Sequence, residues 1–327
     1  MIFVLGAAGE VVGMCAGPLT RTDTAFMGFY AVEPTYQGSG IGRELWAKTT
    51  GRLDDSYNIG LYGVPSMSAK YKKSGFVLED TQKLLLYESE PDLESELKLN
   101  LLCNLDQLGT GYYLYALSGR EDDTYRKLIE YDATVNKFSR ESLLREYFLG
   151  DDIPLTLAVL KCAARKQSSP ATTGCCTAQY QAQADEACDI STQQGARSGT
   201  HDDLDELHKD CTERRDINKA LDWNSTQLVG YGCIRLDNTS GGMVGPVYAD
   251  SGEICEVLLK NLLKRFKLQP GAKFSVMALS SNKRANEIAN RIGLKETDQC
   301  SRMFTKFIPT ASLSQIYYIH SPNFSLF

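Results

Sequence analysis

The sequence predicts a mixed α/β (α+β) protein made of two successive units, each a mixed sheet covered by helices. Three observations carry this. Within residues 1–90, apolar runs of strand length and stretches of helical periodicity follow the order strand, strand, strand, helix, strand, helix, strand. After Val229 the order strand, strand, helix, strand, helix, strand returns. And 327 residues are enough for two domains of ordinary size.

Ile2–Leu5 and Val11–Ala16 are short apolar runs flanking Gly-Ala-Ala-Gly-Glu, which predicts an antiparallel hairpin. Thr24–Val32 (TAFMGFYAV) is apolar at alternate positions on both sides, the pattern of a strand buried in mid-sheet, and Pro34 stops it. Ile41, Leu45, Trp46, Thr49 and Leu53 fall at helical spacing directly out of a glycine-rich turn. A strand over Ile59–Val64, a short helix over Ser66–Lys73, a stop at Gly75 and a strand near Leu84–Tyr87 complete the first unit. The acidic stretch Glu88–Glu96 reads as a boundary, so the expected division is 1–95, a linker over 96–120 holding a short helix and an apolar strand, and 121–327. Residues 122–148 carry one helical pattern, with Asp132 or Ser139 as N-cap. Residues 161–226 are rich in Ser, Thr, Gln, Ala and Cys and predict a flexible insertion, with a polar helix over 202–221.

Composition limits the function classes. With 43% hydrophobic and 23% charged residues the chain reads as a soluble globular protein. A net charge of −6 argues against a non-specific nucleic-acid binder. No Lys or Arg precedes the N-terminal apolar run, and Glu10 interrupts it, so a signal peptide is not expected. No apolar stretch approaches 18 residues, so no membrane partner is expected either. The expected location is cytoplasmic, with the ten cysteines mostly reduced.

The segment with the most chemistry is Val32-Glu33-Pro34-Thr35-Tyr36-Gln37-Gly38-Ser39-Gly40-Ile41-Gly42. A strand ends, three glycines turn the chain, and a helix starts at once. Glycines admit φ > 0 and let a ligand approach the backbone. A helix N-terminus leaves N–H groups unpaired and carries partial positive charge. Together these features make a pocket for a diphosphate; an ordinary strand-to-helix turn with spare glycines is the alternative. A dinucleotide fingerprint fits worse, because the glycine spacing differs and a hairpin precedes the strand. Gly-Lys-Ser/Thr, the mark of a P-loop, is absent.

The pattern Gln-x-x-Gly-x-Gly, preceded by Val-x-Pro-x-Tyr, resembles motif A of the GNAT superfamily of N-acetyltransferases. The resemblance implies tandem GNAT-like domains, acetyl-CoA as co-substrate and no metal. It implies that the backbone N–H groups of Gln37, Gly38, Ser39, Gly40, Ile41 and Gly42 hold the diphosphate. The main-chain N–H of Val32 would be the oxyanion donor. Ser66–Phe76 resembles motif B of the same family, in which a Tyr lies four residues before Gly-Phe. Tyr71 takes that place and would give a proton to, or hydrogen-bond, the leaving thiolate; a packed helix tyrosine is the alternative. The family's Asn and Ala before that Tyr are Val64 and Met67 here.

The reaction needs a neutral amine. For a lysine-like amine of pKa ~10.4, deprotonation near pH 7.4 costs about 4 kcal/mol. Glu33, at the end of the central strand, is the candidate base, against the reading of a solvated loop carboxylate. Cys15 has no nearby His and reads as an inert core thiol, so direct attack is preferred over a covalent route. Cys188, His201, His208 and Cys211 lack the paired spacing of a zinc site.

In the second half, Asn282–Leu294 repeats the spacing of motif B with Ala289 where the Tyr would be, and no G-x-G loop precedes it. The half therefore resembles a GNAT-type domain without a diphosphate grip. Gly245–Asp250 (GPVYAD), Tyr131, Asp132, Arg140, Arg302 and Met303 resemble the YitH-like domain that follows a GNAT domain in one family. That likeness implies that the second half shapes the acceptor site, with Tyr248 and Asp250 as substrate residues; Asp250 is equally an N-cap for the helix near Glu253. The strand and two helices that open a GNAT domain have no counterpart before Ile2. The function implied is acetyl transfer from acetyl-CoA to a small-molecule or peptide amine. The alternative is a non-catalytic acetyl-CoA-binding module that makes protein contacts.

Overall fold

A computed structural model describes residues 1–90, 98–117, 123–149, 154–162, 223–237, 241–266, 268 and 271–321. The body of the expected insertion, the helix expected over 202–221 and the residues Cys188, His201, His208 and Cys211 lie outside the described residues. The first half contributes β1 (Ile2–Leu5), β2 (Val11–Ala16), β3 (Thr24–Val32), α1 (Ile41–Thr50), β4 (Asn58–Gly63), α2 (Ser68–Lys73) and β5 (Leu78–Glu88). The second contributes β6 (Tyr112–Ala116), α3 (Asp123–Asn136), α4 (Glu141–Leu149), β7 (Leu155–Cys162), β8 (Thr226–Leu236), β9 (Gly242–Ala249), α5 (Gly252–Arg265), β10 (Phe274–Leu279), α6 (Lys283–Arg291), β11 (Lys295–Phe304) and β12 (Ile316–Tyr318).

All twelve strands join one sheet in the order β1-β2-β3-β4-β11-β5-β10-β9-β8-β7-β6, with β12 on β9. The β3–β4 and β9–β10 pairs are parallel, and the other pairs are antiparallel. The last long strand of each half sits inside the other half. β11 inserts between β4 and β5, and β5 lies between β11 and β10. A buried ion pair marks this joint, Arg302 on β11 donating from Nη1 to Asp80 Oδ2 on β5 at 2.6 Å.

Helices cover the sheet because strand side chains alternate between its faces. On β7, Leu157 and Val159 join the core under α5 and α6, while Ala158 and Leu160 join the core under α3 and α4. A third core, with Cys15, Met27, Leu45, Leu61, Phe76 and Met303, fills the space beneath α1 and α2. At the edge strand β1, Phe3 and Leu5 are exposed. Among the described residues no helix is long and apolar enough to cross a membrane.

Several expectations shift. The single helical pattern of 122–148 breaks at Lys137, which takes φ 65°, and becomes α3 and α4. Asp132 is no cap: it lies inside α3, fully buried, and pairs with Arg140. Ser139 Oγ does meet the start of α4, accepting from Glu141 N at 3.4 Å. Lys161 and Cys162 finish β7 and Thr226 begins β8, so strand pairing claims both ends of the stretch read as an insertion. The apolar strand expected within the linker is present as Tyr112–Ala116, β6, at the edge of the sheet.

Candidate active site

The site begins where two parallel strands part. β3 and β4 pair from Thr24/Asn58 to Met27/Leu61 and no further. Against β2, β3 passes through a bulge, with two residues facing one between the Gly28/Ala16 and Ala31/Met14 pairs, and Phe29 takes φ 51° there. A bulge bends a strand and redirects its side chains. The expectation that β3 is buried throughout therefore holds for Thr24–Gly28 and fails at Tyr30 and Ala31, which are exposed. Beyond the bulge, Glu33 N donates to Val12 O at 2.9 Å. Hydrogen bonds alternate in an antiparallel pair, so Val32 points its N–H and C=O away from β2, into the opening beside β4. Its carbonyl accepts Gln37 Nε2 at 3.0 Å.

Next the chain turns. Gly38 and Gly40 take φ 81° and 94°, and nothing lies within 4 Å of where their Cβ atoms would stand. Gly40 occupies the N-cap of α1 and provides no side-chain cap. Among the described residues, the backbone N–H groups of Gly38, Ser39, Gly40, Ile41, Gly42 and Arg43 have no acceptor, and the first helical bond is Glu44 N to Gly40 O. A run of unpaired N–H groups through left-handed positions into a helix N-terminus is an anion cradle. Gln37 corrects the expected set of donors: its N–H already donates to Pro34 O at 3.2 Å, so the residue latches the turn through both backbone and side chain. Arg43, which the motif reading did not include, adds an exposed cation and an unpaired N–H at the first turn.

Tyr71 stands at the other wall of the opening. Its ring lies over Gly63, where a Cβ would come within 2.9 Å of Tyr71 Cδ2, so only glycine at the end of β4 admits the ring. Trp46 of α1 holds it from the side, with ring centroids 5.8 Å apart. Burial raises the Tyr71 phenol above its ordinary pKa, and neighbouring Tyr30, Cys300 and Cys15 push the same way. The hydroxyl therefore stays protonated at neutral pH, and it has no hydrogen-bond partner among the described residues. Burial likewise raises the Cys15 thiol, as expected of an inert core cysteine. Glu33 is exposed just past the end of β3, and the Tyr36 hydroxyl nearby in the chain donates to Glu10 Oε1 at 3.2 Å. Among the described residues no cluster of three metal-capable side chains occurs.

The matching place in the second half is built differently. β9 and β10 pair only from Gly242/Phe274 to Val244/Val276, then part as β3 and β4 do. β12 fills the gap. It pairs with β9 at Ile316/Tyr248, Asn282 Nδ2 donates to Ile316 O at 2.8 Å, and Ile319 N donates to Met277 O on β10 at 2.9 Å. Ser251 caps α5, its Oγ accepting from Ile254 N at 3.4 Å, and the Arg284 side chain covers Gly252.

Tyr248 and Asp250 therefore do not meet the first-half opening. Their strand β9 is five strand spacings from β3, about 24 Å. Tyr248 is 1% exposed, and its hydroxyl accepts from Arg140 Nη2 at 3.3 Å. Burial pushes its phenol up to about 12. Arg140 grips Asp132 with two nitrogens, and Tyr231 donates to Asp132 Oδ2 at 2.6 Å. The four residues form a core network rather than a substrate contact. Asp250 is exposed but accepts from Tyr131 Oη at 2.9 Å and Gln315 Nε2 at 2.8 Å, and Ser251 rather than Asp250 is the helix cap.

Comparison with known proteins bears on the family and the fold. Residues 1–61 match the acetyltransferase (GNAT) family, and residues 203–318 match an acetyltransferase (GNAT) domain. An open mixed sheet with two such domains defines the class: the chain belongs to the GNAT superfamily, in a tandem arrangement. Among solved structures, a candidate acetyltransferase from Pyrococcus horikoshii superposes with a TM-score of 0.54 at 17% identity, covering 96% of this chain and 76% of that one. A holothin acyltransferase from Pseudoalteromonas sp. is 26% identical over 152 residues, which is 46% of this chain and 45% of that protein. An uncharacterized protein from Caenorhabditis elegans is 29% identical over 128 residues, which is 38% of this chain and 36% of that protein. The matches thus span less than half the length of either curated relative.

Proposed function

We propose that the chain is an N-acetyltransferase that moves an acetyl group from acetyl-CoA to a small-molecule or peptide amine by direct attack. One observation carries the reading: six consecutive backbone N–H groups, Gly38 to Arg43, have no acceptor among the described residues and lie beside a gap between parallel strands. Such a row fits a diphosphate, and the open space over Gly38 and Gly40 leaves room for it. Acetyl-CoA supplies the activated thioester. The Val32 N–H, directed into the gap, polarises the thioester carbonyl and stabilises the oxyanion. The neutral amine attacks the carbonyl carbon; the C–N bond forms and the C–S bond breaks. Tyr71 gives its proton to the departing sulfur and regains one, through water, from the acylated nitrogen. The first amine proton passes to water or to the exposed carboxylate of Glu33, just past the end of β3.

The test is thiol release from acetyl-CoA with a panel of amines, together with calorimetric titration of acetyl-CoA. Binding with amine-dependent thiol release is expected, and Gly40→Glu should abolish both. Absence of binding to the folded wild type would sink the proposal. Binding without release with any amine would favour a non-catalytic acetyl-CoA-binding module.

A further inference from the structure

The proposed reaction leaves one side chain at the opening unused. Tyr30 is the second residue of the β3 bulge, beyond the last β3–β4 pair, and is 37% exposed. Its ring meets Trp46 edge-on at 5.4 Å, and Trp46 is itself held by Tyr71 and Phe76, each at 5.8 Å. This row of rings aims the Tyr30 phenol at α1, where a Cβ on Gly42 would come within 2.6 Å of Tyr30 Oη. Gly42 has no positive φ, so its lack of a side chain serves to admit the phenol rather than to turn the backbone. Tyr30 Oη has no hydrogen-bond partner among the described residues. It is thus a seventh donor beside the N–H row without an acceptor among the described residues.

We infer that Tyr30 Oη donates a hydrogen bond to the phosphate oxygens held at the Gly38–Arg43 turn, and that Gly42 exists to let it do so. This rests on the reading of that turn as a diphosphate site. A hydrogen bond to a charged acceptor contributes ~1.5–3 kcal/mol, which predicts a loss of about tenfold or more in affinity when the hydroxyl is removed.

The experiment is calorimetric titration of free coenzyme A into wild type, Tyr30→Phe, Gly42→Ala and the double variant, with thermal melts of each. Tyr30→Phe keeps the ring row, so its melting temperature should stay within 2 °C or so. Its dissociation constant should rise about tenfold. Gly42→Ala should displace the hydroxyl and weaken binding to a similar extent in the wild type, yet add less than about twofold to Tyr30→Phe. A dissociation constant for Tyr30→Phe within twofold of wild type overturns the inference while leaving the diphosphate site intact. So do fully additive effects of the two substitutions. Failure of the wild type to bind coenzyme A instead removes the diphosphate reading itself, and Tyr30's role falls with it.

Discussion

At the end of β3 the chain turns through Gly38 and Gly40 into α1, leaves six N–H groups without acceptors among the described residues, and faces a gap where β3 and β4 have stopped pairing. At the end of β9 it turns through Asp250 and Ser251 into α5. There Ser251 caps the helix, Arg284 covers its first turn, and β12 closes the gap between β9 and β10. The strand-to-helix geometry is the same and the hydrogen bonding is opposite. Every donor that a fold satisfies internally is lost to a ligand. The second half uses its helix N-terminus and strand ends for stability, whereas the first half leaves its own open, as the proposed site requires.

The comparison breaks most visibly if both halves bind. We expect one coenzyme A per chain by calorimetry, and complete loss of it with Gly40→Glu, which puts a carboxylate into the cradle at a left-handed position. A stoichiometry of two, or binding that survives in Gly40→Glu, would show that the second cleft opens after all.

The joint between the halves gives the next effect. Asp80→Ala leaves Arg302 charged and buried, and removing one partner of a buried pair costs about 3–5 kcal/mol. Denaturant unfolding should show that loss in a single transition, because β5 and β11 belong to both halves. Two separate transitions, with only one shifted, would mean that the halves fold independently.

Tyr71→Phe sharpens the catalytic side. Turnover should fall about 10- to 100-fold while the dissociation constant for acetyl-CoA stays within twofold. Because burial raises the Tyr71 pKa above its ordinary value, the wild-type rate should climb from pH 6 to 9 as the amine loses its proton, with no descending limb in that range. A descending limb below pH 9 would mean that Tyr71 ionises earlier than its burial allows.

The smallest effect belongs to the closed half. Ser251→Ala removes a helix cap and should cost ~1 kcal/mol of stability in a denaturant melt, with coenzyme A affinity unchanged. A change in affinity would place the α5 N-terminus in the binding site.

What the sequence alone determined is local. The hairpin, β3, α1 and the glycine turn were legible because periodicity and φ preference depend on neighbouring residues. Gly38 and Gly40 stand out in the sequence for the same reason, and Tyr71 through the resemblance of its segment to the family's motif B. What tertiary structure decided is pairing between distant residues. Asp80 and Arg302 are 222 positions apart, and nothing near either announces that β5 and β11 interleave. Nor could spacing show that the Gln37 N–H is already spent on Pro34 O, that Tyr248 sits in a sealed network with Arg140, or that β12 fills the second gap. A hydrogen-bond donor is free only if no part of the folded chain reaches it, and that is a property of the whole sheet.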